Sequence, residues 1–189
     1  MNTDSYAILP LIFEALKFAA YKHRRQKRKG LIGIPYINHP IEVANLILKV
    51  VEKPGPDLII AAILHDVIED TRTRFSDIEE RFGREVSGIV KEVTDNMNLP
   101  SLLRKREQIN KAASLSFEAK CIKIADKTCN VHDLLFSRIR WSRLRKIEYI
   151  KWACEVVYRM KDAHPGLIAE FEQILEKARG NLRYNFERV

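Results

Sequence analysis

No apolar stretch in this chain approaches the ~18 residues of a membrane-spanning helix, so no membrane partner is expected. A secretory leader is not expected either: no charged region precedes an apolar one, and Leu9 to Ala20 is broken by Pro10, Glu14 and Lys17. Cysteine is scarce. Cys121, Cys129 and Cys154 are odd in number and show no Cys-x-x-Cys spacing, which fits core thiols in a reducing, cytoplasmic setting. Glycine and proline number seven each, too few for a low-complexity segment, and no repeat period is visible. Strict apolar/polar alternation nowhere lasts for the length of a strand, which leaves helices.

What is present is a chain of 189 residues, 46% hydrophobic, large enough for one domain with its own core. Its net charge of +8 is uneven: residues 22 to 29 hold six Lys/Arg and residues 138 to 146 hold five. A basic chain suits nucleic acid, a membrane surface or a polyphosphate. With no helix-turn-helix signal, aromatic stacking platform or zinc-finger spacing, nucleic acid is not expected as a partner. The oligomeric state is left open.

Leu9, Phe13, Leu16, Ala20 and His23 recur at helical spacing and predict the buried face of a first helix. The basic stretch 26 to 38 reads as a loop. Pro40 suits the first turn of a second helix reaching about Val51. Asp57 stands as N-cap of an apolar third helix running into His65-Asp66-Val67-Ile68-Glu69-Asp70-Thr71. Ser76-Asp77-Ile78-Glu79 is a capping-box pattern before a short helix stopped by Gly83. Further helices are expected over about Arg84 to Thr94, Leu102 to Ala113, Ser116 to Leu135, Trp141 to Ala163, and Pro165 to Arg179 with Gly180 as its stop. The expectation is a single all-α domain over residues 1–189, a bundle of roughly eight to ten helices.

On one continuous helix, residues 65, 66, 69 and 70 would fall within an arc of about 140°. An imidazole and three carboxylates would then crowd a buried face, at a cost of several kcal/mol that a metal cation commonly offsets. His39, just before Pro40, and Asp126, in the apolar Ile124-Ala125-Asp126, are the candidate partners. Taken singly, His39 could be a capping histidine, and Asp126 could pair with Lys123 or Lys127. Together with His65 and Asp66 they make a nitrogen and oxygen set suited to Mn²⁺, Fe²⁺, Co²⁺ or Zn²⁺ rather than Mg²⁺ or Ca²⁺.

The order His39, His65-Asp66, Asp126 resembles the motif of the HD-domain metal-dependent phosphohydrolases. The absence of histidine between residues 67 and 125 favours one metal ion over two. The strings His23 to Lys29, Pro35-Tyr36-Ile37-Asn38-His39-Pro40, His65 to Thr71 and Lys123 to Asn130 resemble the hydrolase domain of the Rel/SpoT alarmone enzymes. Val93-Thr94-Asp95 and Arg145 to Val157 look closer still to the stand-alone small alarmone hydrolases, the animal SpoT homologue among them. The resemblance spans about residues 10 to 179. It implies Mn²⁺-dependent removal of the 3′-pyrophosphate of (p)ppGpp, giving GDP or GTP. Alternatives are hydrolysis of adenosine alarmones, phosphate removal from NADPH, and a non-catalytic alarmone-binding module.

By the same resemblance, His39, His65, Asp66 and Asp126 hold the metal, and Glu69 and Asp70 handle the attacking water or the leaving group's proton. Arg28, Lys29, Tyr36, Asn130, Arg145 and Tyr149 contact the nucleotide substrate. Glu69 and Asp70 have an alternative as partners of Arg72 or Arg74. His23 is expected to be a hydrogen-bonded structural residue. Met97 departs from the animal pattern, where a lysine is usual, and the loop carrying it is expected near the base or its phosphates.

Overall fold

The most apolar stretch of the chain forms its centre. In a computed structural model, which describes residues 3–28, 33–137 and 139–186 (side chains from residue 8), every residue from Leu58 to Leu64 is buried. These residues belong to α3 (Pro56–Leu64). The elements before it are α1 (Thr3–Lys22) and α2 (Asn38–Val50). Those after it are α4 (Val67–Asp70), α5 (Phe75–Phe82), α6 (Arg84–Val93), α7 (Ser101–Lys111), a 3₁₀ turn (Ala112–Ser114), α8 (Phe117–Phe136), α9 (Arg143–Tyr158) and α10 (Pro165–Leu182). No strand occurs among the described residues beyond one isolated bridge between Lys27 and Pro35. The all-α expectation is met.

A helix apolar on all sides must be enclosed. α1, α2, α6 and α8 pack around α3, and α8 in turn is covered by α2, α6, α9 and α10. One continuous cluster of buried side chains runs from Ala15 on α1 to Phe186 after α10. α3 and α8 lie at its centre, so the polar residues they carry are held by a closely packed frame.

Several sequence expectations need correction. The inward face of α1 is Ala15 and Ala19, each fully buried, with His23 at 2% exposure; Leu9 and Phe13 are 46% and 66% exposed. Both stripes have helical period, and the small alanines win because they let α1 approach α3 closely. α3 starts two residues earlier than an Asp57 cap implies, with Gly55 as N-cap and Pro56 in the first turn. α5 begins at Phe75, and the Asp77 carboxylate accepts from the Arg74 backbone N–H at 2.9 Å, so Ser76 is not the cap. Ser116 does cap α8, its hydroxyl accepting from Ala119 N–H. α9 is shorter than expected and is capped by the Ser142 hydroxyl.

α10 continues through Gly180 to Leu182 because the Arg143 guanidinium donates to the carbonyls of Leu182 and Arg183 at 2.9 and 3.1 Å. Cationic donors at orphan C-terminal carbonyls extend a helix in this way.

The correction with most bearing on function lies after Leu64. The His-Asp string is not on one helix: α3 ends, His65 and Asp66 form a turn with Asp66 at φ −100°, ψ −5°, and α4 restarts at Val67. Asp70 N–H still donates to the Asp66 carbonyl at 3.1 Å, so Glu69 and Asp70 follow the pair on a new helical turn.

Candidate active site

The turn after α3 explains how so many ionisable groups meet. His65 Nδ1 donates to the Ala62 carbonyl one turn back, at 2.7 Å, which fixes the tautomer and leaves Nε2 with its lone pair. That Nε2 is buried, lies 3.0 Å from Asp66 Oδ2, and has no aligned hydrogen-bond partner. His39, on the first turn of α2, points its Nε2 at Asp126 Oδ1 on α8 (3.1 Å) and lies 3.7 Å from Asp66 Oδ2. One donor atom each from His39, His65 and Asp126 lie within 4.8 Å of one another, all three residues buried.

The charge balance points the same way. Burial pushes the Asp126 carboxyl up, but Lys127, His39 and His65 overcome this and hold it well below the usual carboxylate range. Burial likewise opposes ionisation of Asp66, and His65 and His39 reverse it. Burial pushes the His65 imidazole down, yet Asp66 and Asp126 raise it to about 9. His39, where burial dominates, is lowered. The pocket draws positive charge to the point where an unpartnered imidazole nitrogen and two carboxylates converge. That donor set fits a divalent cation with mixed nitrogen and oxygen ligands.

Asp126 also has the partner that a purely structural reading gave it: Lys127 Nζ donates to its Oδ2 at 2.8 Å. Lys123 instead pairs with Asp95 at 3.8 Å. The Tyr36 hydroxyl donates to Asp66 Oδ2, and Asn130 donates to Asp126 Oδ1, so these two expected substrate residues also brace the carboxylates.

A cleft of about 530 Å³ opens beside this cluster. Asp66, Glu69, Asp70, Arg28, Tyr36, Asn130, Arg145 and Tyr149 line it, so those expected site residues share one cavity. Lys29 lies outside the described residues. Glu69 and Asp70 do not pair with Arg72 or Arg74. Glu69 Oε1 accepts from the Asp95 backbone N–H at 2.6 Å, and Asp70 Oδ2 accepts from Gln26 Nε2 at 2.8 Å. Burial first, then Asp95 and Asp66 working against Lys123, raise the Glu69 carboxyl to about 7. His23 is the hydrogen-bonded residue expected: its Nδ1 meets Gln26 Oε1 at 2.7 Å.

Sequence reasoning missed several groups. Asp133 accepts from Arg28 Nε at 2.8 Å, and its spacing of 7 and 3 from Asp126 and Asn130 on α8 was a signal available in advance. Gln26 was read only as loop. Arg104, Lys105 and Gln108 on α7, with Trp141 and Trp152, also line the cleft. Nothing in the sequence singled out the α7 residues. Met97 is 49% exposed and does not line the cleft, though Asp95 of the same loop does.

An all-helical frame carrying a buried His, His-Asp, Asp cluster defines a class. The chain belongs to the HD-domain family, whose model matches residues 15–150. Within that family it is similar to the guanosine-3′,5′-bis(diphosphate) 3′-pyrophosphohydrolase MESH1 of mouse, 42% identical over 169 residues covering 88% of this chain and 93% of the relative. The human protein of the same name is 46% identical over 149 residues, covering 77% and 82%. Among solved structures, a metazoan ortholog of SpoT described as hydrolysing ppGpp superposes with a TM-score of 0.85 at 38% identity, covering 89% of this chain and 95% of that one.

Proposed function

We propose that this chain is a metal-dependent guanosine-3′,5′-bis(diphosphate) 3′-pyrophosphohydrolase, a single HD-type domain using one Mn²⁺ ion. The observation that carries this reading is the convergence of His39, His65 and Asp126, with Asp66 beside them, next to two cleft carboxylates, Glu69 and Asp70. Similarity to the MESH1 proteins over nearly their whole length supports the substrate. His39, His65, Asp66 and Asp126 would hold the ion, which when bound acidifies water and draws charge from phosphoryl oxygens.

The chain's own residues supply the remainder. The bond to be broken joins the ribose 3′ oxygen to the first phosphorus of the diphosphate. Water adds to that phosphorus, and the ribose oxygen leaves with a proton, giving GDP and pyrophosphate; the pentaphosphate gives GTP. Glu69 accepts the water's proton. Its carboxylate is anchored by Asp95 N–H, and burial brings it towards neutrality, where a general base works best. Asp70, oriented by Gln26, manages the proton of the leaving oxygen. Arg28 contacts the phosphates nearest the ion, since Asp133 and Asn130 hold its guanidinium against that end of the cleft. Arg145 and Tyr149 bind the nucleotide from α9, which lines the same cleft.

Three free cysteines, two of them buried, suit the reducing cytosol, where such a nucleotide would be met. Among the described residues no helix is long and apolar enough to cross a membrane.

The test is incubation with Mn²⁺ and a panel of guanosine and adenosine alarmones and NADPH, with products resolved by ion exchange. Pyrophosphate released from the guanosine compounds is the expected result. Orthophosphate alone, or turnover of NADPH alone, would overturn the assignment.

A further inference from the structure

Asp66, Glu69, Asp70, Asp95, Asp133 and Glu148 line the cleft, and Arg28, held by Asp133 and Asn130, serves the phosphates at the metal cluster. The same cleft is lined by Arg104 and Lys105 of α7, on one helical face with Ser101 and Gln108, and Arg104 Nη1 donates to the Leu99 carbonyl at 3.0 Å.

Among the described residues neither Arg104 nor Lys105 forms an ion pair. Lys105 Nζ lies instead over the Trp152 and Tyr149 rings, at 4.9 and 5.8 Å. Burial lowers the Lys105 ammonium below the usual lysine range, with Lys127 and Arg145 adding to this and Glu148 opposing it. A half-buried ammonium held on aromatic faces without a bound carboxylate is positioned for an incoming anion. Its place is fixed by the backbone, because the Lys105 carbonyl accepts from Trp152 Nε1 at 3.1 Å.

The proposed substrate carries two diphosphates, one on each side of the ribose. With the 3′ group at the metal cluster, the 5′ group must find its counter-charge elsewhere in the same cleft. We infer that Arg104 and Lys105 hold the 5′-phosphates, making α7 the element that selects nucleotides phosphorylated at both ends. This inference rests on the function proposed above and adds the specificity-determining pair to it.

The experiment compares guanosine-3′,5′-bis(diphosphate) with guanosine 3′-diphosphate, which lacks the 5′ group, on wild type, Arg104→Ala, Lys105→Ala and Lys105→Arg. Removing one charge-assisted phosphate contact should raise KM for the bis(diphosphate) roughly 10- to 100-fold, with kcat little changed. KM for the 3′-diphosphate should stay at its wild-type value, and Lys105→Arg should recover most of the loss. The Trp152 contact uses the Lys105 carbonyl, so it survives these substitutions. An equal rise for both substrates would mean a general distortion of the cleft and would overturn the inference; so would unchanged KM for the bis(diphosphate). Failure of the functional reading shows separately, as no pyrophosphate release by wild type. In that case the dissociation constants of the two nucleotides for the same variants, measured by calorimetry, decide the role of α7 by the same pattern.

Discussion

At the metal end of the cleft, His39, His65 and Asp126 come from α2, the turn after α3, and α8, all buried in the main core and bonded to one another or to the backbone. The cleft is also lined by α7, an eleven-residue helix with no fully buried residue, tied to its neighbours by a few bonds such as Trp152 to Lys105 and Gln108 to Asp95. Chemistry that needs ligand atoms held in one geometry is placed on the rigid frame. On the inference drawn above, recognition of the 5′-phosphates falls to an element with no fully buried residue.

The comparison breaks most readily at Asp126. Asp126→Ala removes a ligand and leaves His39 and Lys127 buried without their partner. Breaking a buried ion pair typically costs about 3–5 kcal/mol. The variant should therefore lose stability in denaturant titration, retain little Mn²⁺ after dialysis, and drop in activity by at least ~10²-fold, while remaining helical. Unchanged metal stoichiometry and affinity would sink the four-ligand assignment.

Glu69→Gln tests chemistry without disturbing either end. The amide can still accept from Asp95 N–H, so metal content and KM should hold while kcat falls about 10²–10⁴-fold, the usual share of a general base. In wild type the working form is the ionised carboxylate, and burial raises Glu69 to about 7. The rate should therefore fall as pH drops through that region, with the limb shifted to lower pH when the cation is bound. The residual rate of the Gln variant should lack that limb. Loss of metal from this variant would make Glu69 a ligand instead.

Arg28→Ala should raise KM about 10-fold or more, for both the 3′-diphosphate and the bis(diphosphate), in contrast to the α7 variants. A KM that rises for the bis(diphosphate) alone would assign Arg28 to the wrong end. The mildest test changes no residue. Because no residue of α7 is fully buried, its amides should exchange with deuterium on the order of 10² times sooner, or faster still, than those of the α8 centre. Equal protection would show that α7 is as firmly packed as the frame.

The proposed metal ligands were legible because they are chemically out of place where they stand: Asp126 inside an apolar helix, and His65-Asp66 at the end of the most apolar stretch. Arg28 was legible only through family resemblance and Asn130 also by its place one turn after Asp126; Arg28 donates to both Asn130 and Asp133, and periodicity along α8 could have pointed to Asp133. The α7 residues were not legible at all. Arg104 and Lys105 look like any solvated helical face, and only the packing of Trp152 and Tyr149 from α9 turns that face into a cleft wall. The inner face of α1 was misread because period alone does not rank alanine against leucine.

The sequence by itself determined the helical class, most helix positions, and the set of groups able to hold a cation, because these depend on local periodicity and on residues whose burial would be costly without a partner. Only the tertiary structure decided that the His-Asp pair sits in a turn rather than along a helix, that Glu69 is anchored by the loop at Asp95, and that α7 lines the cleft. Those features depend on contacts between residues far apart in the chain, such as Arg28 with Asp133 and Trp152 with Lys105, and no local pattern encodes which distant partners meet.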